Sequence, residues 1–192
     1  SRPKGILGQH KGLSHFLDWQ RKEFGIQPRD RFAQLTHISF DAFLRDVFMP
    51  LVSGATICLP QEPISYEADH IFPWLEREKI SVLHLVPSLI QSWLTDKVVP
   101  GRLPSLRYVF FSGEALTASL IERWRNKFSS DIQLINLYGP TETTMVKSYT
   151  RVPRKISAGV QPLQQPMPQT QVLIFNRRQN LCGIGEVGEV VI

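Results

Sequence analysis

Two hydrophobic rhythms share this chain. Leu13, Phe16, Leu17 and Phe24 recur three and four residues apart with polar residues between them, and Gly25 follows. That spacing predicts an amphipathic helix over 13–24 with a glycine at its end. Leu44, Val47, Phe48 and Leu51 repeat the rhythm over 41–52, with Gly54 as the stop. Further helices are predicted over 68–79, from Pro87 onward (Leu89, Ile90, Trp93, Leu94 and Val98 inward), and after Thr117 (Leu120, Ile121, Trp124 and Phe128 inward). Pro87 suits a first helical turn, and Thr117 can cap the helix that follows it. Between the helices lie short apolar runs at 32–36, 56–59, 81–86, 107–112 and 132–138. Short, nearly continuous apolar strands alternating with helices predict an α/β fold with a mostly parallel, buried sheet.

The rhythm changes near Val152. Gln, Pro and Gly become frequent, helical spacing stops, and 172–175 and 187–192 read as strands joined by a turn near 177–180. We therefore expect an α/β unit over residues 1–151 and the start of a small, barrel-like β unit over 152–192. Both ends read as cuts, since the chain opens inside a Pro-Lys-Gly turn and closes on an apolar strand.

Composition narrows the function classes. The net charge is +5, but the basic residues are scattered, with short pairs only at Arg21-Lys22 and Arg177-Arg178. Scattered charge without interleaved aromatics argues for solvated helix faces and against a nucleic-acid partner. No apolar run is long enough to span a bilayer, so no membrane partner is expected. Cys58 and Cys182 stand far apart and make neither a disulfide framework nor a metal cluster. A cytoplasmic location fits these features.

Ligands of open parallel sheets bind beyond the carboxyl ends of the strands. Three predicted strand ends carry unusual residues: His84, the run Ser112-Gly113-Glu114-Ala115, and Asn136-Leu137-Tyr138-Gly139-Pro140-Thr141-Glu142-Thr143-Thr144. In the last run, Tyr138 offers a flat ring for stacking and Asn136 an amide for a base edge. Thr141 offers a hydroxyl, and Glu142 a hard carboxylate suited to Mg²⁺. The same residues also make a polar turn with a helix cap, and the residue types leave both readings open.

The Asn-x-Tyr-Gly-Pro-Thr-Glu-Thr-Thr run resembles the signature of amino-acid adenylation domains of nonribosomal peptide synthetases, within the adenylate-forming superfamily. Four further segments resemble the family's motifs in family order: Arg2-Pro3-Lys4-Gly5, Ser39-Phe40-Asp41-Ala42 (with Phe43 where Ser is usual), Phe111-Ser112-Gly113-Glu114-Ala115-Leu116, and Gly185 to Ile192. Gln164 stands where the family usually has Gly.

The resemblance implies ATP and Mg²⁺ as cofactors. It implies that Tyr138 stacks on adenine, Asn136 meets its edge, and Gly113, Glu114, Ala115 and Gly139 flank it. Thr141 contacts phosphate, Glu142 holds the metal, and Lys4 belongs to the phosphate loop, so Thr141 and Glu142 are the expected catalytic residues. It implies a substrate pocket of Asp41, Ala42, Arg45, His84, Phe110, Ser112, Leu137, Met145 and Val146. Asp41 would pair with an α-ammonium group, although it could instead cap the helix that follows. Arg45 and His84 point to a carboxylate on the substrate, because Arg grips carboxylates bidentately. Arg45 could equally pair with Asp46, and His84 could be a satisfied core histidine.

The expected reaction is ATP-dependent formation of an aminoacyl-adenylate from an acidic amino acid (aspartate, methylaspartate or glutamate). The product then passes to the phosphopantetheine arm of a peptidyl carrier domain, with a small helper protein as a further conceivable partner. The upstream phosphate loop, the ribose-binding Asp and the catalytic Lys of the family are not in this sequence, so the chain alone is expected to be inactive. The alternatives are an acyl- or aryl-CoA ligase of the same superfamily and a non-catalytic nucleotide-binding lobe.

Overall fold

The computed structural model describes residues 5–60, 67–95 and 103–192. The expectations for Lys4 and Val98 lie outside the described residues. The helices are α1 (His10–Glu23), α2 (Ala42–Ser53), α3 (Ala68–Arg77), α4 (Pro87–Trp93) and α5 (Ala118–Arg125). The strands are β1 (Arg31–Ala33), β2 (Thr56–Cys58), β3 (Val82–Leu85), β4 (Tyr108–Phe111), β5 (Gln133–Tyr138), β6 (Ser148–Arg151), β7 (Gln165–Pro166), β8 (Leu173–Phe175) and β9 (Glu189–Val191).

Seven strands form one sheet in the order β2-β1-β3-β4-β5-β6-β7. β1 to β5 run parallel, and β6 and β7 join antiparallel. The α/β class and the mostly parallel sheet are as the apolar rhythm predicts. β8 and β9 pair separately as an antiparallel sheet.

Because side chains alternate across a strand, each inner strand feeds two cores. On one face Leu83, Val109, Phe111 and Leu134 meet α3, α4 and α5 through Ile71, Trp74, Trp93, Leu120 and Trp124. On the other, Val82, Tyr108, Phe110, Ile135 and Leu137 meet Phe16, Leu17, Trp19 and Phe24 of α1 and Met49 of α2. His84 lies two residues beyond Val82, so it belongs to the α1–α2 face, buried where a polar side chain needs partners.

Two strands escape the apolar pattern. β6 reads Ser-Tyr-Thr-Arg, and only Tyr149 enters the α1–α2 core. Its register against β5, with Leu137 opposite Tyr149, comes from the ladder and not from an apolar run. β7 returns to the large sheet after residue 151 and carries Met167 into the α1–α2 core. The separate β pair therefore starts only at β8. At the predicted glycine departure, the Gln164 backbone N–H donates to Thr150 Oγ1 at 2.8 Å, so the turn is held by a side-chain bond instead.

Candidate active site

Parallel pairing of β3, β4 and β5 brings their carboxyl ends side by side: Leu85 stands opposite Phe111, and Phe111 opposite Asn136. Two cavities open there. The first, of about 560 Å³, is lined from α2 and its approach by Phe40, Asp41, Ala42 and Arg45, from β3 by His84, and from the later loops by Ser112, Thr141, Met145 and Val146. The second, of about 430 Å³, is lined by Ala115, Asn136, Leu137 and Tyr138. Gly113, Glu114 and Gly139 line both, so the cavities meet along one edge. Volumes of this size suit small-molecule ligands.

The wall of the first cavity is a buried polar network. Arg45 and Asp46 are 3% and 1% exposed, so their charges must be offset within the protein. Arg45 Nε donates to Asp46 Oδ1 at 3.0 Å, and its terminal nitrogen reaches Ser112 Oγ at 3.4 Å. Asp46 also accepts from the Thr36 hydroxyl, and His84 Nδ1 lies 3.4 Å from Asp46 Oδ1. On its other side, His84 Nε2 meets Gln20 Nε2 at 2.8 Å.

Burial, with the Arg45 charge beside it, holds the His84 imidazole well below the ordinary histidine value of 6.5. Burial pushes the Asp46 carboxyl up, partly offset by Arg45 and by the hydrogen bond from Thr36. The donors on Asp46, the Arg45 guanidinium and the Thr36 hydroxyl, favour its carboxylate form.

Asp41 stands just before α2 but does not cap it: its φ and ψ are −59° and −30°, and its side chain makes no capping bond. The capping alternative is thus not realised. The carboxylate lines the first cavity instead.

The other edge is organised by main chain. Gly113 has φ +86°, a left-handed conformation costly for other residues, and it turns the chain at the end of β4. Glu114 then reaches across to α4, where its carboxylate accepts from the Ser88 N–H and hydroxyl, each at 2.7 Å. At Gly139 a Cβ would lie 2.2 Å from the Met145 carbonyl oxygen, so only glycine fits. After the 3₁₀ turn Thr141–Thr143, Thr144 and Met145 both have positive φ, at 56° and 69°. Two consecutive strained non-glycine residues are a mark of functional loops.

The predicted residues fall into three groups. Asp41, Ala42, Arg45, His84, Ser112, Met145, Val146 and Thr141 line the first cavity, and Ala115, Asn136 and Tyr138 the second. Phe110 and Leu137 are set back from the expected pocket. Phe110 is fully buried beside His84, its partner across the β3–β4 ladder, stacks on that ring at 4.8 Å between centroids, and lines neither cavity. Leu137 shares that core and borders the second cavity. Glu142 is exposed on the 3₁₀ turn and lines neither cavity.

Sequence reasoning missed Thr36 and Gln20. Gln20 is a polar residue inside the apolar stripe of α1, which is the signal that could have exposed it.

Nucleotide fits this edge on one observation. The Asn136 side chain is 5% exposed, borders the second cavity, and has no hydrogen-bond partner among the described residues. For a metal, no group of three or more His, Cys, Asp or Glu side chains comes together among the described residues. A single carboxylate such as Glu142 suits Mg²⁺ only when phosphate oxygens complete the shell, which is how Mg²⁺ is commonly held.

A family profile described as AMP-binding enzyme matches residues 1–192. The L-2-aminoadipate reductase large subunit of Eremothecium gossypii is 36% identical over 200 residues, covering 99% of this chain and 14% of that protein. Tyrocidine synthase 3 of Brevibacillus parabrevis is 33% identical over 192 residues, covering 99% of this chain and 3% of that protein. Among solved structures, the Vibrio cholerae adenylation domain AlmE, in complex with glycyl-adenosine-5'-phosphate, superposes with a TM-score of 0.83 at 29% identity. It covers 94% of this chain and 34% of that one. The chain thus spans 14%, 3% and 34% of the length of these three proteins.

Proposed function

This chain belongs to the AMP-binding enzyme family, and from that premise we propose that its site activates an amino acid as an aminoacyl-adenylate at the expense of ATP. One observation carries the reading: two cavities meet along Gly113, Glu114 and Gly139, one lined by Asp41 and Arg45 and the other by Asn136 and Tyr138. A nucleotide in the second and an amino acid in the first would meet at that edge, beside Thr141.

Tyr138 stacks on the adenine, and the unpartnered Asn136 amide hydrogen-bonds its edge. Asp41 takes the α-ammonium group and turns the α-carboxylate toward the α-phosphorus. A carboxylate oxygen bonds to that phosphorus while the bond to the bridging oxygen breaks, and pyrophosphate leaves. The Thr141 hydroxyl donates to phosphate oxygen as charge grows, which is the kind of fixed donor that lowers such barriers. Mg²⁺, held with the help of Glu142, would offset phosphate charge. The phosphopantetheine thiol of a peptidyl carrier domain then attacks the acyl carbon of the adenylate, so that a thioester forms as the bond to the phosphate oxygen breaks and AMP leaves.

The substrate is an acidic amino acid. Arg45 is fixed at Nε by Asp46 and lines the cavity, and apart from its contact with Ser112 its other N–H groups have no partner among the described residues. A side-chain carboxylate is the partner that suits such a fork. The aminoadipate in the name of the fungal relative extends the candidate acids by one methylene beyond glutamate. Asp41 favours an amino acid over the simple acid of an acyl- or aryl-CoA ligase. We also take residues 152–192 as the start of a second unit, tied to the first through β7.

The test is exchange of labelled pyrophosphate into ATP by the full-length protein, over acidic, apolar and basic amino acids and simple acids. Exchange with aspartate, glutamate or aminoadipate is expected. Exchange with an apolar amino acid discards the acidic pocket, and exchange with simple acids alone discards the amino-acid reading.

A further inference from the structure

We propose that Gln20, which lines neither cavity, is a positioning residue for substrate selection: through His84 and Asp46 it sets how Arg45 is presented to the first cavity. The proposal rests on the acidic-substrate reading above and adds a residue from outside the pocket wall.

The chain of contacts runs from α1 to the cavity. Gln20 is fully buried on the face of α1 that also carries Phe16 and Leu17. Its Nε2 donates to His84 Nε2 at 2.8 Å. A ring nitrogen that accepts a hydrogen bond carries no proton, so the proton of the neutral imidazole sits on Nδ1. That nitrogen faces Asp46 Oδ1 at 3.4 Å, and the same oxygen accepts from Arg45 Nε at 3.0 Å. The opposite amide orientation would set an oxygen against Nε2, draw the proton there, and leave the Nδ1 lone pair facing a carboxylate. The tautomer chosen by Gln20 therefore decides whether Asp46 is attracted or repelled by His84.

The plane of the ring is held by its neighbours. It is stacked between Phe32, at 6.2 Å and 26°, and Phe110, at 4.8 Å and 27°. With the ring in this plane, the partner at Nε2 sets which nitrogen bears the proton, and Gln20 is that partner. Serving this role leaves the Gln20 carbonyl oxygen buried without a partner. A side chain present only to fill the α1 stripe would carry no such orphan, since a leucine or methionine packs there with no polar atom to satisfy.

The experiment compares Gln20→Met, Gln20→Glu and Arg45→Ala in the full-length protein. Pyrophosphate exchange is measured with glutamate and aminoadipate and with their side-chain amides, and direct titration of each amino acid is followed by calorimetry. Methionine keeps the volume and removes the donor. An ionised glutamate can only accept, so it draws the proton to His84 Nε2. For both Gln20 variants the acid-over-amide preference is expected to fall about tenfold, the effect of losing one oriented bond in a buried network. The fall should lie in KM and affinity for the acid, with KM for ATP within about twofold of the parent. Arg45→Ala should abolish the preference.

A folded Gln20→Met protein with unchanged preference, beside an Arg45→Ala protein that has lost it, overturns the role of Gln20 and leaves the acidic reading intact. Equal losses for acid and amide together with weaker ATP use mean a merely structural residue, which also overturns it. If Arg45→Ala keeps the preference, the acidic reading fails and the role of Gln20 goes with it.

Discussion

The two sides of the cleft are built by opposite means. On the proposed amino-acid side, side chains carry the design: Arg45, Asp46, His84 and Gln20 are buried and linked to one another, and His84 stacks against Phe32 and Phe110. Along the edge shared with the proposed nucleotide side the main chain does: Gly113 turns left-handed, Gly139 lies against the Met145 carbonyl, and Thr144 and Met145 are strained, while Tyr138 stands exposed in the second cavity. A side that must distinguish one amino acid from another is rigid in its side chains. A side that must take the same nucleotide each time needs only a shaped backbone and an open ring to stack on.

If that contrast is right, adding one methyl group on the nucleotide side should do more harm than removing a functional side chain there. Gly139→Ala forces a Cβ to within 2.2 Å of a backbone oxygen and should destabilise the fold by about 4 kcal/mol or more. Thermal unfolding reads this directly, and an unchanged midpoint would show that the loop is free to shift. Asp46→Ala strikes the amino-acid side and leaves Arg45 charged, buried and without its partner. The expected loss is about 3–5 kcal/mol in denaturant unfolding, and a loss below about 1 kcal/mol would mean that Arg45 escapes to water.

Asp41→Asn separates binding from folding. The Asp41 side chain makes no capping bond, so stability should change by less than about 0.5 kcal/mol. Amino-acid kcat/KM should fall about a hundredfold, as for loss of one charge from a desolvated pair. A stability loss with normal kinetics would return Asp41 to the capping role.

Acid should act through His84. Its folded value lies below the unfolded 6.5, so the unfolded chain binds the extra proton first. Stability is full above about pH 6.5 and falls as pH drops below it, by at most about 1.4 kcal/mol per pH unit. Asp46, raised from 3.8 by burial, works in the opposite sense from that pH upward. His84→Gln should flatten the stability profile between pH 5 and 6.5, and an unaltered slope would assign the proton elsewhere. The smallest effect is expected for Tyr138→Ala on the nucleotide side: about a tenfold rise in KM for ATP, the worth of one base stack, with unfolding unchanged because the ring is half exposed.

Much of this was legible in the chain because buried parallel strands and amphipathic helices write themselves as apolar rhythm. β3, β4 and β5 fall inside their predicted runs, and α2 stops at Gly54, whose φ is +66°. β6 and β7 were not legible. Ser148, Thr150 and Gln165 carry no strand signal, and their place comes from pairing with β5 and with each other. The cleft was legible as residue types at strand ends, since parallel register collects those ends. What spacing could not show is which side chains pair. Asp46 follows Arg45 in sequence, but its bonds to Thr36 and His84 depend on three elements meeting. Phe110 was placed in the pocket by resemblance, yet it lies fully buried beside His84 and lines neither cavity.

The most direct test of the central claim is the ratio of kcat/KM for glutamate or aminoadipate over the corresponding amide, measured by pyrophosphate exchange in the full-length protein. Acid and amide are nearly the same in shape, so the ratio isolates the charge that Arg45 is proposed to read. A strong preference for the acid that collapses in Arg45→Ala is the predicted result. Equal use of acid and amide, or a preference that survives the loss of Arg45, would contradict it.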